Sequence, residues 1–307
     1  MGNPMDSSQF IRLLDKRLRM VEEGKWKDLP SMIPQLYNML SSDSAYEEFY
    51  SVGALPDAVE FTGKIAYQSI APGYHTKIEP KEFANGIQFE RKFLDDKKYG
   101  VLDNGAERLV ESAHRKREKH GVRTFAYAFS TAFDFMTSEE NVSLCSTAHT
   151  TKSGTSTASG FSNSGTSAFS KTAVAATRIL MRQFRNDISE RIEISDNLAL
   201  IVPDNLADDA YELVHTPKGM DSAEGNVNPQ YGRYKIIPYL RLDDYDSNNW
   251  FMVDLSAMKR DLLWIDRIKP ETKRVIDFDT YLLKMAVYFR IACGHKDWRW
   301  VYGHNVA

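Results

Sequence analysis

The hydrophobic positions near the N-terminus recur at the spacing of a helix. Phe10, Leu14 and Leu18 belong to one apolar stripe, and basic residues line the remaining face. Because residues three or four apart share one face of a helix, this pattern predicts a helix that ends at Gly24. The apolar stripe must be buried on another surface. The periodicity favours packing on the same domain, and the alternative is an arm that lies on a neighbouring subunit.

A period of two replaces the helical period between residues 67 and 98. The run from Ile87 to Phe93 alternates apolar and polar side chains, and a strand from Tyr74 to Glu79 precedes it. Asn85-Gly86 is a turn signal, so the two runs predict an antiparallel hairpin. An isolated hairpin is marginally stable in water, so it needs a third surface from its own chain or from a neighbouring subunit.

A long helix is predicted next, with Asp103 or Asn104 as its cap and Gly121 as its end. Its first half is apolar, and its second half, from His114 to His120, is densely charged. Basic residues at a helix C-terminus complement the helix dipole, which favours a solvated helix end. The five basic residues among Arg115 to Arg123 could alternatively contact phosphate groups or an acidic partner.

The segment from Cys145 to Ser170 is dominated by Ser, Thr, Gly and Ala and predicts a long flexible loop. None of its glycines completes a Gly-x-Ser-x-Gly motif, and no strand leads into one. A serine hydrolase, which would need a histidine and a carboxylate brought to one of these serines, is therefore disfavoured.

Helix and strand patterns alternate in the remainder of the chain. A helical stripe begins at Phe169, a buried strand covers Leu198–Pro203, and a helix follows to Val214. Two more strands are predicted, at Tyr231–Leu240 and Trp250–Leu255. Together these elements indicate an α+β protein.

The C-terminal run from Val275 to Gly303 predicts two strands joined at a Gly294-His295 turn. The last strand is aromatic-rich. Since side chains alternate along a strand, Trp298 and Trp300 should share one face and act as structural anchors against the long sheet or the long helix.

Composition excludes several classes of function. The chain has 307 residues and 42% hydrophobic content, enough for one large or two moderate domains. A net charge of -3 argues against a free nucleic-acid binder. The two cysteines lack CxxC spacing, the seven histidines form no paired motif, and no apolar run is long enough to span a membrane. We therefore expect neither an enzyme nor a metal or cofactor site.

In their order, these parts resemble tailed-phage major capsid proteins of the Hong Kong phage type, especially the Mu-like major head subunit family. Each motif is weak alone, and the order of the motifs carries the resemblance, which covers nearly the whole chain. The loop after His149 is longer and richer in Ser and Thr than is typical of the family. The stretches that carry the resemblance are Phe61–Lys64, Leu144–His149, Phe161–Asn163, Leu200–Pro203, Asn228–Pro229, Trp250–Met252 and Asp297–Arg299.

The resemblance implies an α+β capsid fold with an N-terminal arm, an extended β-hairpin loop, a spine helix, a peripheral domain and an axial domain. The implied divisions are residues 1–58 for the arm, 59–100 for the extended hairpin loop, 101–150 for the peripheral domain with the spine helix, 151–261 for the Ser/Gly-rich loop and axial domain, and 262–307 for the closing strands of the peripheral domain.

The implied function is that of a major capsid protein that assembles with itself, through hexamers and pentamers, into an icosahedral shell around double-stranded DNA. Portal, scaffold or decoration proteins would be partners, and packaged DNA would be contacted weakly. The protein would reside in the virion after assembly in the cytoplasm of a bacterial host. The alternative is a nucleic-acid-binding module that uses Arg115–Arg123.

Two sets of surface residues follow from the resemblance. The basic helix end is expected to face the shell interior or a subunit interface, and the arm and hairpin are expected to lie on neighbouring copies. The interior candidates are Arg115, Lys116, Arg117 and Lys119, and the inter-subunit contact candidates are Phe10, Leu14, Leu18, Tyr74, Lys77, Phe83, Phe89, Arg91 and Phe93.

Overall fold

The structure is a computed structural model that describes residues 7–65, 67–218, 227–277 and 279–306, with side chains from residue 15 onward. The helices are α1 (Ser7–Asp28), α2 (Ile33–Leu36), α3 (Lys92–Asp95), α4 (Tyr99–Ala126), α5 (Lys171–Met181), α6 (Ala207–His215) and α7 (Leu255–Asp261). The strands are β1 (Asn38–Ser41), β2 (Glu47–Val52), β3 (Pro72–Ile78), β4 (Lys81–Glu90), β5 (Met136–Ser138), β6 (Ser164–Gly165), β7 (Leu198–Val202), β8 (Lys235–Pro238), β9 (Trp250–Asp254), β10 (Leu262–Ile276), β11 (Leu282–His295) and β12 (Val301–His304).

The long helix α4 packs on a four-stranded sheet with the order β1-β10-β11-β4. Strands β10 and β11 form a long antiparallel hairpin, β4 pairs antiparallel with β11, and β1 pairs parallel with β10. Side chains alternate along β11, so Met285, Val287 and Phe289 are buried, whereas Ala286 between them is exposed. The helix and this sheet form the first of two layers of the core.

A second, five-stranded sheet has the order β6-β12-β9-β7-β8. Its central strands β7 and β9 are buried along their whole length, as their uninterrupted apolar sequences predict. Phe125, near the end of α4, contacts Phe251 of β9 and Trp300, with ring centroids 5.5 and 6.1 Å apart. The two sheets therefore share one continuous hydrophobic core.

Helix α1 lies on α4 of the same chain. Ion pairs join Arg17 to Asp103 and Lys25 to Glu111, at 2.6 and 2.8 Å. Leu18 is completely buried within the chain. The packing that the periodicity favoured is therefore present, and the prediction of Leu18 as an inter-subunit contact is wrong. The side chains of Phe10 and Leu14 lie outside the described part of the chain.

The two glycines predicted to end helices lie inside them. Gly24 belongs to α1 and Gly121 to α4. A helical glycine costs about 1 kcal/mol relative to alanine, and tertiary packing can outweigh that cost. At Gly121 the packing also leaves little room for a side chain, because a Cβ would lie 3.0 Å from Cγ1 of Ile33 and 3.2 Å from the Tyr239 hydroxyl.

The hairpin predicted between Tyr74 and Phe93 is wrong, because its two strands belong to different sheets. Strand β3 pairs with β2 and β5, and β4 pairs with β11. The Asn85-Gly86 turn signal lies within β4. Asn85 uses its side chain locally: its Oδ1 accepts from the Gly86 N–H, and its Nδ2 donates to Ser112 on α4. The chain does form an exposed hairpin, but it consists of β2 and β3.

Two further predictions need correction. The Ser/Gly-rich segment is irregular, but it is not a free loop, because His149, Phe161 and Asn163 within it are buried. Strand β11 continues through the predicted Gly294-His295 turn, and β12 pairs with β9 of the other sheet rather than with β11. The final strand, β12, therefore belongs to the five-stranded sheet and does not extend the four-stranded one.

Candidate assembly surfaces

Strands β2 and β3 form an antiparallel hairpin with a long tip. Glu47 pairs with Ile78, and the last bond of the ladder runs from the Gly53 N–H to the Ala71 carbonyl oxygen, 3.0 Å. Beyond that bond, the described residues between 54 and 70 contain no helix or strand. We call residues 54–70 the hairpin tip.

The hairpin tip and the adjoining end of β2 expose large apolar side chains. The described residues include 21 exposed large hydrophobic side chains, and eight of these fall between Tyr50 and Ile70. Phe61 is 71% exposed and Tyr67 is 92% exposed. Burying one such side chain contributes about 1.5–3 kcal/mol, so leaving eight in water forgoes a large stabilisation. A concentration of exposed apolar side chains of this kind marks a contact site for another molecule. The eight residues are Tyr50, Val52, Leu55, Val59, Phe61, Ile65, Tyr67 and Ile70.

Polar contacts hold the base of the hairpin to the body of the protein. The hydroxyl of Tyr74 lies 2.7 Å from that of Thr150, and His75 is hydrogen-bonded to Glu139. A hydrogen bond from Lys152, followed by one from the His75 backbone, lowers the pKa of Glu139 to about 2. Lys77 is also held within the chain, since its Nζ lies 4.2 Å from the centroid of the Tyr46 ring. Tyr74 and Lys77, predicted as inter-subunit contacts, thus lie at the root of the hairpin rather than at its tip.

The aromatic residues of β4 have partners in their own chain. Phe83 packs on Phe289, with ring centroids 5.5 Å apart. The ring of Phe89 lies against α4 at Gly105, where a Cβ would collide with it, and is T-shaped to Phe93 at 6.5 Å. The expectation that Phe89 and Phe93 lack intrachain partners is therefore wrong, while the inter-subunit role of Phe83, Phe89 and Phe93, whose rings are half-buried, stays a prediction. Arg91 is exposed, with its guanidinium over Tyr281.

The basic end of α4 divides into one buried and three exposed cations. Arg117 donates to both carboxylate oxygens of Asp266, at 2.6 and 3.2 Å, and its guanidinium lies 5.2 Å from the Trp264 ring. Because this pair is buried, Arg117 is a structural residue and not a DNA-facing one, so its prediction is wrong. The exposed cations are Arg115, Lys116 and Lys119.

The two C-terminal tryptophans are both buried, but they lie in the turn before β12 and not on one face of a strand. Trp300 contacts Phe125 of α4, in agreement with the predicted packing on the long helix. Trp298 instead stacks on His149 of the Ser/Gly-rich segment, with centroids 4.1 Å apart and planes within 5°. The sequence pattern did not predict this second contact.

His149 lies between two hydrogen-bond acceptors. Its Nδ1 is 3.1 Å from Glu140 Oε1, and its Nε2 is 3.0 Å from Asn163 Oδ1. The Asn163 amide nitrogen donates to the carbonyl oxygens of Leu144 and Val301, which assigns Oδ1 to the histidine. These contacts hold the His149 ring between Glu140 and Asn163 and flat against Trp298. The arrangement fastens the Ser/Gly-rich segment to the body.

The described residues hold no cluster of three or more His, Cys, Asp or Glu side chains arranged for a metal ion. No helix in the same part of the chain is long and apolar enough to cross a membrane.

A family model described as "Phage capsid protein" matches residues 74–303. A comparison with curated protein sequences finds no match.

Among solved structures, the mature capsid of bacteriophage PhiM1 is 12% identical with a TM-score of 0.56, covering 91% of this chain and 88% of that one. The capsid of an empty GTA particle is 12% identical with a TM-score of 0.54, covering 91% of each chain. The procapsid of bacteriophage JBD30 is 13% identical with a TM-score of 0.53, covering 100% of this chain and 77% of that one. At this level of identity the likeness is one of fold.

Proposed function

The chain belongs to the phage capsid protein family and has the Hong Kong phage-type capsid fold, and from this premise we propose that its copies close an icosahedral shell through contacts made by the hairpin tip. The observation that carries the proposal is the apolar surface between Tyr50 and Ile70. Within the described chain this surface has no cover. In a shell, a neighbouring copy would supply it.

The shape of the contact follows from where the tip lies. The tip is one surface, and the body that would receive it is another, so the contact is heterologous and repeats around a ring. Rings of six and five copies close a shell of this kind. A permanent assembly typically buries more than about 2,000 Å² for each interface, and an extended tip adds apolar area without enlarging the body.

Double-stranded DNA would lie inside the shell. The exposed cations Arg115, Lys116 and Lys119 offer phosphate contacts, while the net charge of -3 keeps the attraction weak overall. The protein would then be found in virions, after assembly in the cytoplasm of a bacterial host. Portal, scaffold or decoration proteins would be further partners, and the narrower resemblance to the Mu-like subfamily stays a prediction.

The nucleic-acid-binding alternative receives no support from the comparisons. One residue of its basic cluster, Arg117, is also buried in an ion pair with Asp266 and so cannot contact a phosphate.

Negative-stain electron microscopy of the purified full-length protein tests the proposal. We expect closed particles or ring-shaped capsomers. Sedimentation of the same sample should show a species far larger than the 35.1 kDa monomer. A protein that stays monomeric at all concentrations, or that binds DNA tightly as a monomer with a steep salt dependence, would contradict the proposal.

A further inference from the structure

A hollow of about 600 Å³ lies between α1, α4 and the β10–β11 hairpin. Val110 of α4 and Val287 of β11 form part of its apolar floor, and Trp26 of α1 lines its side. Sites of about 300–1,000 Å³ typically enclose a ligand or a group of side chains. Helix α1 thus spans a gap that the chain's own described residues leave open.

The rim of the hollow carries basic groups with no partner. Lys27 of α1 and Lys269 of β10 line it, and neither forms an ion pair with any residue whose side chain is described. Glu23 is the exposed acidic residue on the same rim. The exposed charge at the opening is therefore mainly positive.

The wall of the hollow contains an unsatisfied acceptor. Glu22 is only 6% exposed; one of its carboxylate oxygens binds Arg274 and Thr272, and the other, Oε1, has no hydrogen-bond partner among the described residues. Leaving such a buried acceptor unpaired costs about 1–3 kcal/mol. The hollow is thus suited to an occupant that brings a donor as well as apolar side chains.

The hairpin tip has the complementary features. Phe61 is exposed and is flanked by the carboxylates of Asp57 and Glu60, which form no ion pair among the described residues. Thr62 follows Phe61 directly and supplies both a hydroxyl and a backbone donor. Acidic groups, an aromatic ring and a donor therefore occur together within six residues.

We infer that the segment Asp57–Thr62 of one copy docks in the hollow between α1 and α4 of a second copy. This inference rests on the proposed function and specifies the receiving surface. Phe61 enters the hollow above Val110 and Val287, Asp57 and Glu60 pair with the basic rim, and a donor of the tip reaches Glu22. Helix α1 thereby becomes part of the interface, which explains why a polar-walled gap persists beneath it.

Charge reversal with rescue tests the pairing. Asp57→Lys with Glu60→Lys, and separately Lys27→Glu with Lys269→Glu, should each lower the yield of closed particles by about tenfold or more, because like charges then face each other. Combining all four substitutions should restore most of the yield. Glu23→Lys is the matched control on the same rim, and it should leave the yield unchanged or raise it. Unchanged thermal unfolding of each variant, measured before assembly, confirms that folding is intact.

Photo-cross-linking tests the location directly. The full chain with p-benzoylphenylalanine in place of Phe61 is co-assembled with isotopically heavy wild-type chain, irradiated and mapped by mass spectrometry. Adducts on heavy peptides that contain residues 19–27, Val110, residues 266–272 or Val287 support the inference. Adducts elsewhere in particles that assemble normally, or no rescue by the fourfold variant, overturn the inference but leave the proposed function intact. A wild-type chain that never forms particles refutes the proposed function itself.

Discussion

Strand β4 and the hairpin tip carry similar side chains but place them in opposite environments. Both contain aromatic and charged residues, and the sequence pattern favours β4 as the projecting element. In the structure, Phe89 of β4 lies against Gly105 of α4, while Phe61 of the tip is in water. The difference lies in the partner and not in the pattern: β4 has a strand on one side and a helix beneath it, and the tip has neither.

Removing a single buried charge should strongly lower the free energy of unfolding of the body in which β4 lies. Arg117→Gln leaves Asp266 buried without a cation, which should lower the free energy of unfolding by about 3–5 kcal/mol. Arg115→Gln is the matched control on the same helix, and because Arg115 is exposed its effect should stay within about 0.5 kcal/mol. Chemical denaturation of assembly-free protein measures both. Equal effects would mean that the Arg117–Asp266 pair does not stabilise the body.

The comparison between β4 and the tip can be tested with one substitution in each. Phe89→Ala should lower the free energy of unfolding by about 2 kcal/mol, because a packed ring is lost between β4 and α4. Phe61→Ala should change the free energy of unfolding by less than about 0.5 kcal/mol, because the side chain is 71% exposed and has little intrachain packing to lose. If Phe61→Ala proved the more destabilising of the two, the tip would be packed on its own chain and the comparison would fail.

The sequence predicted the body better than it predicted the partners of each strand. The uninterrupted apolar run Leu198–Val202 became a buried central strand, because few other environments accept such a run. The Asn85-Gly86 turn prediction was wrong because the local turn preference is weaker than the backbone hydrogen bonding between β4 and β11. The buried contacts of His149 with Trp298 and of Arg117 with Asp266 join residues far apart in the chain. No local spacing in the sequence predicts them.

Acid should destabilise the body through its buried histidines. Burial lowers the pKa of His304 to about 4, and its Nδ1 accepts from the Ser167 N–H while the ring stacks on Trp250. An unfolded histidine binds a proton below about pH 6.5, whereas the folded one does so only near pH 4, so the free energy of unfolding should fall as the pH falls between these values.

Thermal unfolding from pH 7 to pH 4 measures this effect. His304→Gln should unfold with a shallower dependence on pH than the wild type, whatever its stability at pH 7. An unchanged slope would show that other groups cause the acid response. His120, whose pKa burial lowers to about 3, is the next candidate.

The central claim is that the exposed apolar tip joins copies of the chain into a shell, and particle formation by the double variant Phe61→Ser, Tyr67→Ser tests it most directly. The variant and the wild type are compared by analytical ultracentrifugation and electron microscopy at equal concentration. We predict that the variant keeps the wild-type unfolding temperature and remains a monomer or small oligomer, because it loses two of the eight exposed large apolar side chains of this surface without losing an internal contact. Closed particles formed by the variant at the wild-type yield would contradict the claim.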